Sequence, residues 1–596
     1  MRPMTPDPSP LRPVRLVFGV HSHQPIGNFD SVFEKALRDA YDPFLDALER
    51  HPSITAVVHY SGCLCEWLES HAPGHLDRLA ALARAGRVEL LTGAFYEPIL
   101  SLLPRTDAVG QIRLQTRYIR ERFGAEPRGM WLAERIWEPT LPGILEEAGV
   151  DFTLLDDYHF LGSLDEDPGG GYYLTEDQGH VVRLFPISQP LRYLTPFREP
   201  EEAIRLLRTM AGSAFPEGPD PVAVIVDDGE KFGLWPGTHD WVHGAGGRAG
   251  WLDRFFGAVA ENAAWLKTST FEQVLATVPA RGRVYLPPGS YFEMGEWALP
   301  KGRGRAFAAV VESSRSRGAW DSERPFLRGG FFRNFLAKYP ESRLQLRRAQ
   351  AISRQLDCDE RKSPLDREGS PSQARRELWR ATCNCGYWHG IFGGLYLPHI
   401  RRAIGTHLCR AGRLMDADAR EASGALPAAR ARTRVQDVGA DGGLDVAIET
   451  ARLSLLVDPA DGGAIRVLDV KARDFPLAST LTRRIEIYHD DVLRPARRDA
   501  ASSGHGSIHD AAAEATDAMR ELVVADDRVR ASAVDRFLER SAEPADLARG
   551  AAVEIGDFFN GRYELGETEE ASAAGAGAAA STVLSREGRA AGRRIA

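Results

Sequence analysis

Residues 222–235 read "VAVIVDDGEKFGLW". Five apolar residues run straight into Asp227, Asp228, Glu230 and Lys231, with Phe232 and Trp235 close behind. The apolar run is the text of a strand buried on both faces, as strands of parallel sheets are. Such a strand delivers its charge at one end. In parallel α/β folds the carboxyl ends of the strands are where sites form.

The same pattern recurs on either side. "LVFGV" ends at His21, "ITAVVHY" at Ser61, and "VELLTGAF" at Tyr96 and Glu97. "GMWLAERIW" carries Glu134, and "FTLLDDYHF" carries Asp156 and Asp157. "VVRLFPI" and "RVYLPPG" complete the set. Helical periodicity fills segments 31–50, 66–86, 105–123 and 251–278. Strands alternating with helices predict parallel βαβ units, and seven or eight of them predict a barrel, closed or nearly so. "YYLTEDQGHVVRLFPI" (172–187) reads as a hairpin, which moves the repeat count toward seven.

Residues 1–300 are therefore expected to form a catalytic barrel. Residues 301–415 are rich in Arg, Leu and Ala with helical spacing, as in "RNFLAKYPESRLQLRRAQAISRQL" (333–356), and predict a helical domain. It is interrupted by "TCNCGYWHGIFGGLYLPH" (382–399), whose glycines permit close backbone approach. This loop is expected to close the barrel's active face. Residues 416–434 read as a linker. Residues 435–565, with alternating runs and Gly/Asp turns, read as a β-sandwich whose strand pattern fades and which is expected to be truncated or divergent. Residues 566–596, rich in Ala, Gly, Ser and Arg, are expected to be disordered.

At 596 residues the chain is too long for one core. With 43% hydrophobic and 26% charged residues it has the composition of an ordinary globular protein. A net charge of −9 gives no basic footprint for nucleic acid. No apolar stretch of about 18 residues predicts a membrane span. The Pro-rich N-terminus has no signal-peptide core, so a cytoplasmic location is the default. Six cysteines are too few for a disulfide framework. The two C-x-C pairs depart from the usual C-x2-4-C zinc spacing, so no metal or other cofactor is assigned.

Glu97, Glu134, Asp227, Asp228 and Glu230 come from three strand ends that a barrel would converge. Two acids facing each other across a bond are what glycoside hydrolysis requires. Taken singly, a strand-end acid more often pairs with arginine. Flanked by Trp131, Trp137, Trp235, Tyr387 and Trp388, whose rings suit the apolar faces of sugars, the array outweighs that reading. His21 and His23, two apart and pointing the same way, would bond sugar hydroxyls. They would serve equally as metal ligands in a metal-dependent carbohydrate deacetylase. A non-catalytic glucan-binding protein is the third class.

"HSHQP", "GAFYEPIL", "WLAERIWEP", "DDGEKFGLWPGT" and "CNCGYWHGIFGGLYLPH", in that order over residues 15–400, resemble glycoside hydrolase family 57, most closely its 4-α-glucanotransferase and α-amylase members. The resemblance implies an α/β fold: an incomplete TIM barrel of the (β/α)7 type, a helical segment and a C-terminal β-sandwich. It implies a retaining mechanism on α-1,4-glucans or maltooligosaccharides without a metal, by transfer or by hydrolysis. Glu134 matches the nucleophile and Asp228 the acid/base, whose carboxyl groups would stand about 5–5.5 Å apart. His21, His23, Glu97, Glu230 and Trp388 match substrate-contacting or supporting positions. Trp131, Trp137, Trp235, Tyr387 and His389 join them on the residue reading above. Oligomeric state is left open, with a homodimer as one option.

Overall fold

The computed structural model describes residues 12–213, 219–360, 370–390, 393–423 and 431–490, together with shorter stretches between 523 and 595. Two compact units divide the chain: one takes in residues up to 335, and the other begins at 336.

In the first unit the strands are β1 (Val14–Ser22), β2 (Ala56–Tyr60), β3 (Val88–Leu90), β4 (Gly129–Met130), β5 (Phe152–Asp156), β6 (Tyr173–Asp177), β7 (His180–Ile187), β8 (Val222–Asp228), β9 (Leu266–Thr268) and β10 (Gly282–Arg283). Parallel ladders join β3 to β2, β2 to β1, β1 to β8, β4 to β5 and β5 to β7. Two thinner seams close the ring. Thr92 bonds Gly129 and Trp131 through its backbone, each at 2.9 Å, between β3 and β4. The Ser188 N–H donates to the Val224 carbonyl at 3.0 Å, between β7 and β8. The result is a barrel of seven parallel strands, one short of the common eight.

Side-chain alternation builds the site. Val17, Val57, Val222, Val224 and Val226 point into the barrel and pack with Phe152, Leu154 and Phe185. Leu16, Phe18, Val20, Val58, Ala223 and Ile225 point out against the surrounding helices. Extending the inward rows by the two-residue period brings His21, His59 and Asp228 to the barrel mouth. Register agrees, since His21 lies opposite both His59 and Asp228. The interior is tight: a Cβ on Gly19 would meet the Val57 carbonyl oxygen at 2.3 Å, so only glycine fits.

Some expectations are corrected. "RVYLPPG" is not a barrel strand. Only Gly282–Arg283 is strand, it pairs with β6, and Pro287 and Pro288 cannot donate to a ladder. The helical stretch 251–278 is two helices, Trp251–Glu261 and Phe271–Thr277, separated by β9. Thr270 starts the second with a capping box to Gln273. Segment 66–86 breaks at Pro73, which starts a new helix. The expected hairpin at 172–187 forms, turning on Gln178 and Gly179, both with positive φ.

The second unit contains helices Pro340–Glu360, Gln373–Arg380 and Pro398–Ser423. Its five-stranded antiparallel sheet comprises β11 (Arg432–Gln436), β12 (Asp445–Glu449), β13 (Leu453–Asp458), β14 (Ala464–Val470) and β15 (Phe475–Pro476), in that order. The last helix occupies the start of the expected linker, while 424–430 lies outside the described residues. Where the expected tail begins, Glu564–Glu570 pairs with Ala579–Ser585, and within it Gly588–Ala590 pairs with Arg593–Ile595. Among the described residues no helix is long and apolar enough to cross a membrane.

Candidate active site

The strand ends converge as the sequence predicts. His21 Nε2 lies 3.0 Å from Glu97 Oε1, and His23 Nδ1 lies 2.5 Å from Glu97 Oε2. One carboxylate thus holds both histidines of "HSHQP". His21 Nδ1 also meets His59 Nδ1 at 2.8 Å, and its ring stacks on Trp131 with centroids 4.5 Å apart. Burial alone would raise Glu97, but the two histidines hold it well below the usual carboxylate range. Burial would lower His21, yet Glu97, Asp228 and Glu230 together raise it. Glu97 adopts a left-handed backbone (φ 53°) inside "GAFYEPIL". Among non-glycine residues that conformation is uncommon, and it concentrates at functional turns.

Glu134 and Arg135 are left-handed as well, with φ of 53° and 47°. After this sharp turn both side chains meet Tyr291, Glu134 at its hydroxyl and Arg135 at its ring. Glu134 remains half-buried and accepts a hydrogen bond from the Tyr291 hydroxyl at Oε2, 2.9 Å away. Burial raises the Glu134 carboxyl and the charge of Asp228 adds to it, while Arg135 and the Tyr291 hydroxyl oppose the rise.

Asp227 and Asp228 diverge because they occupy alternate faces of β8. Asp227 turns outward and is buried against two cations, Arg192 Nε at 2.7 Å and Lys231 Nζ at 2.6 Å. Burial opposes ionisation there, but those charges hold Asp227 far below its ordinary value. Asp228 faces inward with a half-buried side chain. Burial and the adjacent charge of Asp227 raise it. Arg192 also pairs with Asp156, which accepts from Arg135 Nε at 2.9 Å. Asp156, Arg192, Asp227 and Lys231 thus form a buried ion network behind the two inward acids.

Glu230 accepts from the His23 backbone N–H at 3.0 Å and from the Tyr41 hydroxyl. Burial, with Asp228 adding, pushes it up to about 7. Tyr41 is aimed by a π-helical turn at Leu37–Tyr41, a distortion often found at functional sites.

The aromatic expectations divide. Trp131 is 1% exposed, with its ring stacked on His21 and the Arg135 guanidinium 5.2 Å from its centroid. Trp137 is 1% exposed and packs in the core with Leu132, Leu155 and Phe160. Phe232 likewise belongs to the core around Phe18. Trp235 is half-buried and stacks on Phe197 at 5.8 Å. Tyr387, Trp388 and His389 belong to the second unit. There Tyr387 donates to the Ala381 carbonyl at 2.7 Å and Trp388 Nε1 to Asn384 Oδ1 at 3.0 Å, while His389 Nε2 meets the Tyr488 hydroxyl at 2.6 Å.

Arg135, Arg192 and Tyr291 were not singled out by the sequence. Arg135 sits inside "WLAERIWEP" and could have been, since a cation beside a candidate acid is a visible signal. Arg192 lies in the short helix Gln189–Leu194 and Tyr291 at the start of the helix Phe292–Ala298, and only the fold brings them to Asp227 and Glu134.

The arrangement can do two-carboxylate chemistry. One acid, raised by a neighbouring charge, can hold a proton. A second, supported by a cation and a hydroxyl donor, can stay ionised. Burial raises both carboxyls, and at Glu134 the Arg135 charge and the Tyr291 hydroxyl act against that rise.

Comparison with known proteins follows the same division of the chain. Residues 17–287 match the model of glycosyl hydrolase family 57. Residues 330–415 match the α-amylase/4-α-glucanotransferase middle domain, and 437–596 its C-terminal domain. The chain is 37% identical to a 4-α-glucanotransferase of Thermococcus kodakarensis over 93% of its own length and 79% of that protein. It is equally 37% identical to an α-amylase of Pyrococcus abyssi, over 93% of its length and 79% of that protein. The crystal structure of a 4-α-glucanotransferase from Thermococcus litoralis superposes with a TM-score of 0.82 at 34% identity, covering 98% of this chain and 81% of that one.

Proposed function

The chain belongs to glycosyl hydrolase family 57, and from that premise we propose that it is a 4-α-glucanotransferase working by double displacement on α-1,4-glucans. Glu134 is the nucleophile and Asp228 the acid/base. In the first step a Glu134 oxygen bonds to the anomeric carbon. The glycosidic carbon–oxygen bond breaks, its electron pair stays on the departing oxygen, and Asp228 protonates that oxygen. In the second step Asp228 takes the proton of an incoming hydroxyl, whose oxygen displaces Glu134 from the anomeric carbon. Configuration is retained.

One observation carries this reading. Asp228 sits at the inner end of β8, across from His21, where burial and then the adjacent Asp227 charge favour its protonated form, and its own charge bears on Glu134. Proton donor and nucleophile thus act in one electrostatic environment. His21, His23, Glu97 and Glu230 line the same mouth and would bind hydroxyls of the reacting sugar.

Hydrolysis is the second reading, because relatives named α-amylase match as well as those named 4-α-glucanotransferase. Both share the first step and differ in whether a glucan hydroxyl or water completes the second. Product analysis from pure maltotriose decides between them. Longer and shorter glucans together mean transfer, and shorter ones alone mean hydrolysis. Products of neither kind would overturn both.

A further inference from the structure

Glu134 is bordered by a segment that the sequence shows only as the trailing end of a proline-rich run. Gly289 and Trp137 exchange two backbone hydrogen bonds, 2.9 and 3.0 Å long, which fasten this segment beside the Glu134 turn. The Ser290 hydroxyl donates to the Glu134 carbonyl, and Tyr291, 157 residues downstream of Glu134, donates to its carboxylate. The Tyr291 ring is held in turn: the Arg135 guanidinium lies 4.6 Å from its centroid and Trp297 packs edge-on at 6.1 Å. The side chain is buried, and its hydroxyl aims at one carboxylate oxygen only.

We propose that Tyr291 is the positioning residue of the nucleophile: by occupying Oε2 it leaves Oε1 as the attacking atom and steadies the carboxylate charge whenever that charge is present. This rests on the reading of Glu134 as nucleophile. A hydrogen bond to a charged acceptor is about twice as strong as one to a neutral acceptor. Once the glycosyl ester has formed the charge is gone and the bond weakens. When the second step breaks the ester, the electron pair returns to Glu134 and the bond regains its strength as that charge develops. Tyr291 therefore favours release of the intermediate more than its formation. It also opposes the effect of burial on Glu134, keeping the acid ionised at lower pH.

The test is Tyr291→Phe in the full chain, which keeps the ring against Arg135 and removes only the hydroxyl. Turnover of maltotriose should fall about 10- to 100-fold, the scale of one hydrogen bond to a charged group. KM should not rise. The acid limb of the kcat/KM profile should move to higher pH, since Glu134 loses a group that lowered it. Rapid quenching and intact-mass measurement should show more glycosylated protein than in wild type. Unchanged kcat with an unmoved acid limb in a folded variant would overturn the proposal. Glu134→Gln, run alongside, separates the two layers. If it is inactive while Tyr291→Phe behaves as wild type, only the positioning role is lost. If it keeps full activity, the nucleophile reading falls and this inference falls with it.

Discussion

Lys231 Nζ donates to Asp227 Oδ2 at 2.6 Å, with the lysine 1% and the aspartate 5% exposed. Together with Arg192, this pair keeps Asp227 ionised one residue from Asp228, which makes it the nearest source of the repulsion that holds a proton on Asp228. Asp227→Asn removes that charge and lowers Asp228. Since Asp228 must be protonated for the first step, the basic limb of the activity profile should move to lower pH. The same change leaves two buried cations short of a partner and should cost about 3–5 kcal/mol of stability, read by urea unfolding. A basic limb that stays in place would show that Asp227 does not tune Asp228.

Glu134→Gln keeps shape and removes the nucleophilic charge. The variant should fold, with melting not lowered by more than about 3 °C, and lose about 1,000-fold or more in kcat. Calorimetry beside a maltotriose assay checks both halves. Wild-type activity would remove Glu134 from the mechanism.

Asp228→Asn should lower kcat on maltotriose by about 100- to 10,000-fold, the usual worth of a general acid/base. Glycosylation by maltosyl fluoride should suffer far less, because fluoride departs without a proton. The comparison is a burst measurement with each substrate. Equal losses on both would show that Asp228 does not act as the acid.

Glu89 lies on β3 across from Val57 and accepts from the Phe271 N–H at 2.6 Å. Burial pushes its carboxyl up from 4.5 to about 7. A carboxyl raised on folding contributes stability that is full below its unfolded value and is lost as pH climbs through its folded one. Glu89→Gln should therefore flatten the decline in melting temperature between about pH 4.5 and 7. Parallel melting curves for variant and wild type across that window would refute the assignment.

What the sequence disclosed follows from local physics. The run ending at Asp228 could be read because a doubly buried strand leaves its charge nowhere but at the end. His21 and His23 were paired correctly by a period of two. Trp131 stacks on His21 while Trp137 packs among core side chains, a difference the sequence does not show because an indole beside an acidic motif looks the same in either place. The 251–278 break was missed because "WLKTS" carries a three-residue strand inside text with helical spacing. Tyr291 and Arg192 had no local signature at all. Their meaning lies in partners 157 and 35 residues away, which only chain topology supplies.

The two thin seams of the barrel have a consequence of their own. Five junctions between neighbouring strands are stitched by ladders, whereas β3 meets β4 only around Thr92 and β7 meets β8 at Ser188. Local opening concentrates where cross-links are fewest. The backbone amides of Trp131 and Ser188 should therefore take up deuterium sooner than those of Val58 or Val224, so the cylinder would give way first on either side of the β4–β5–β7 wall.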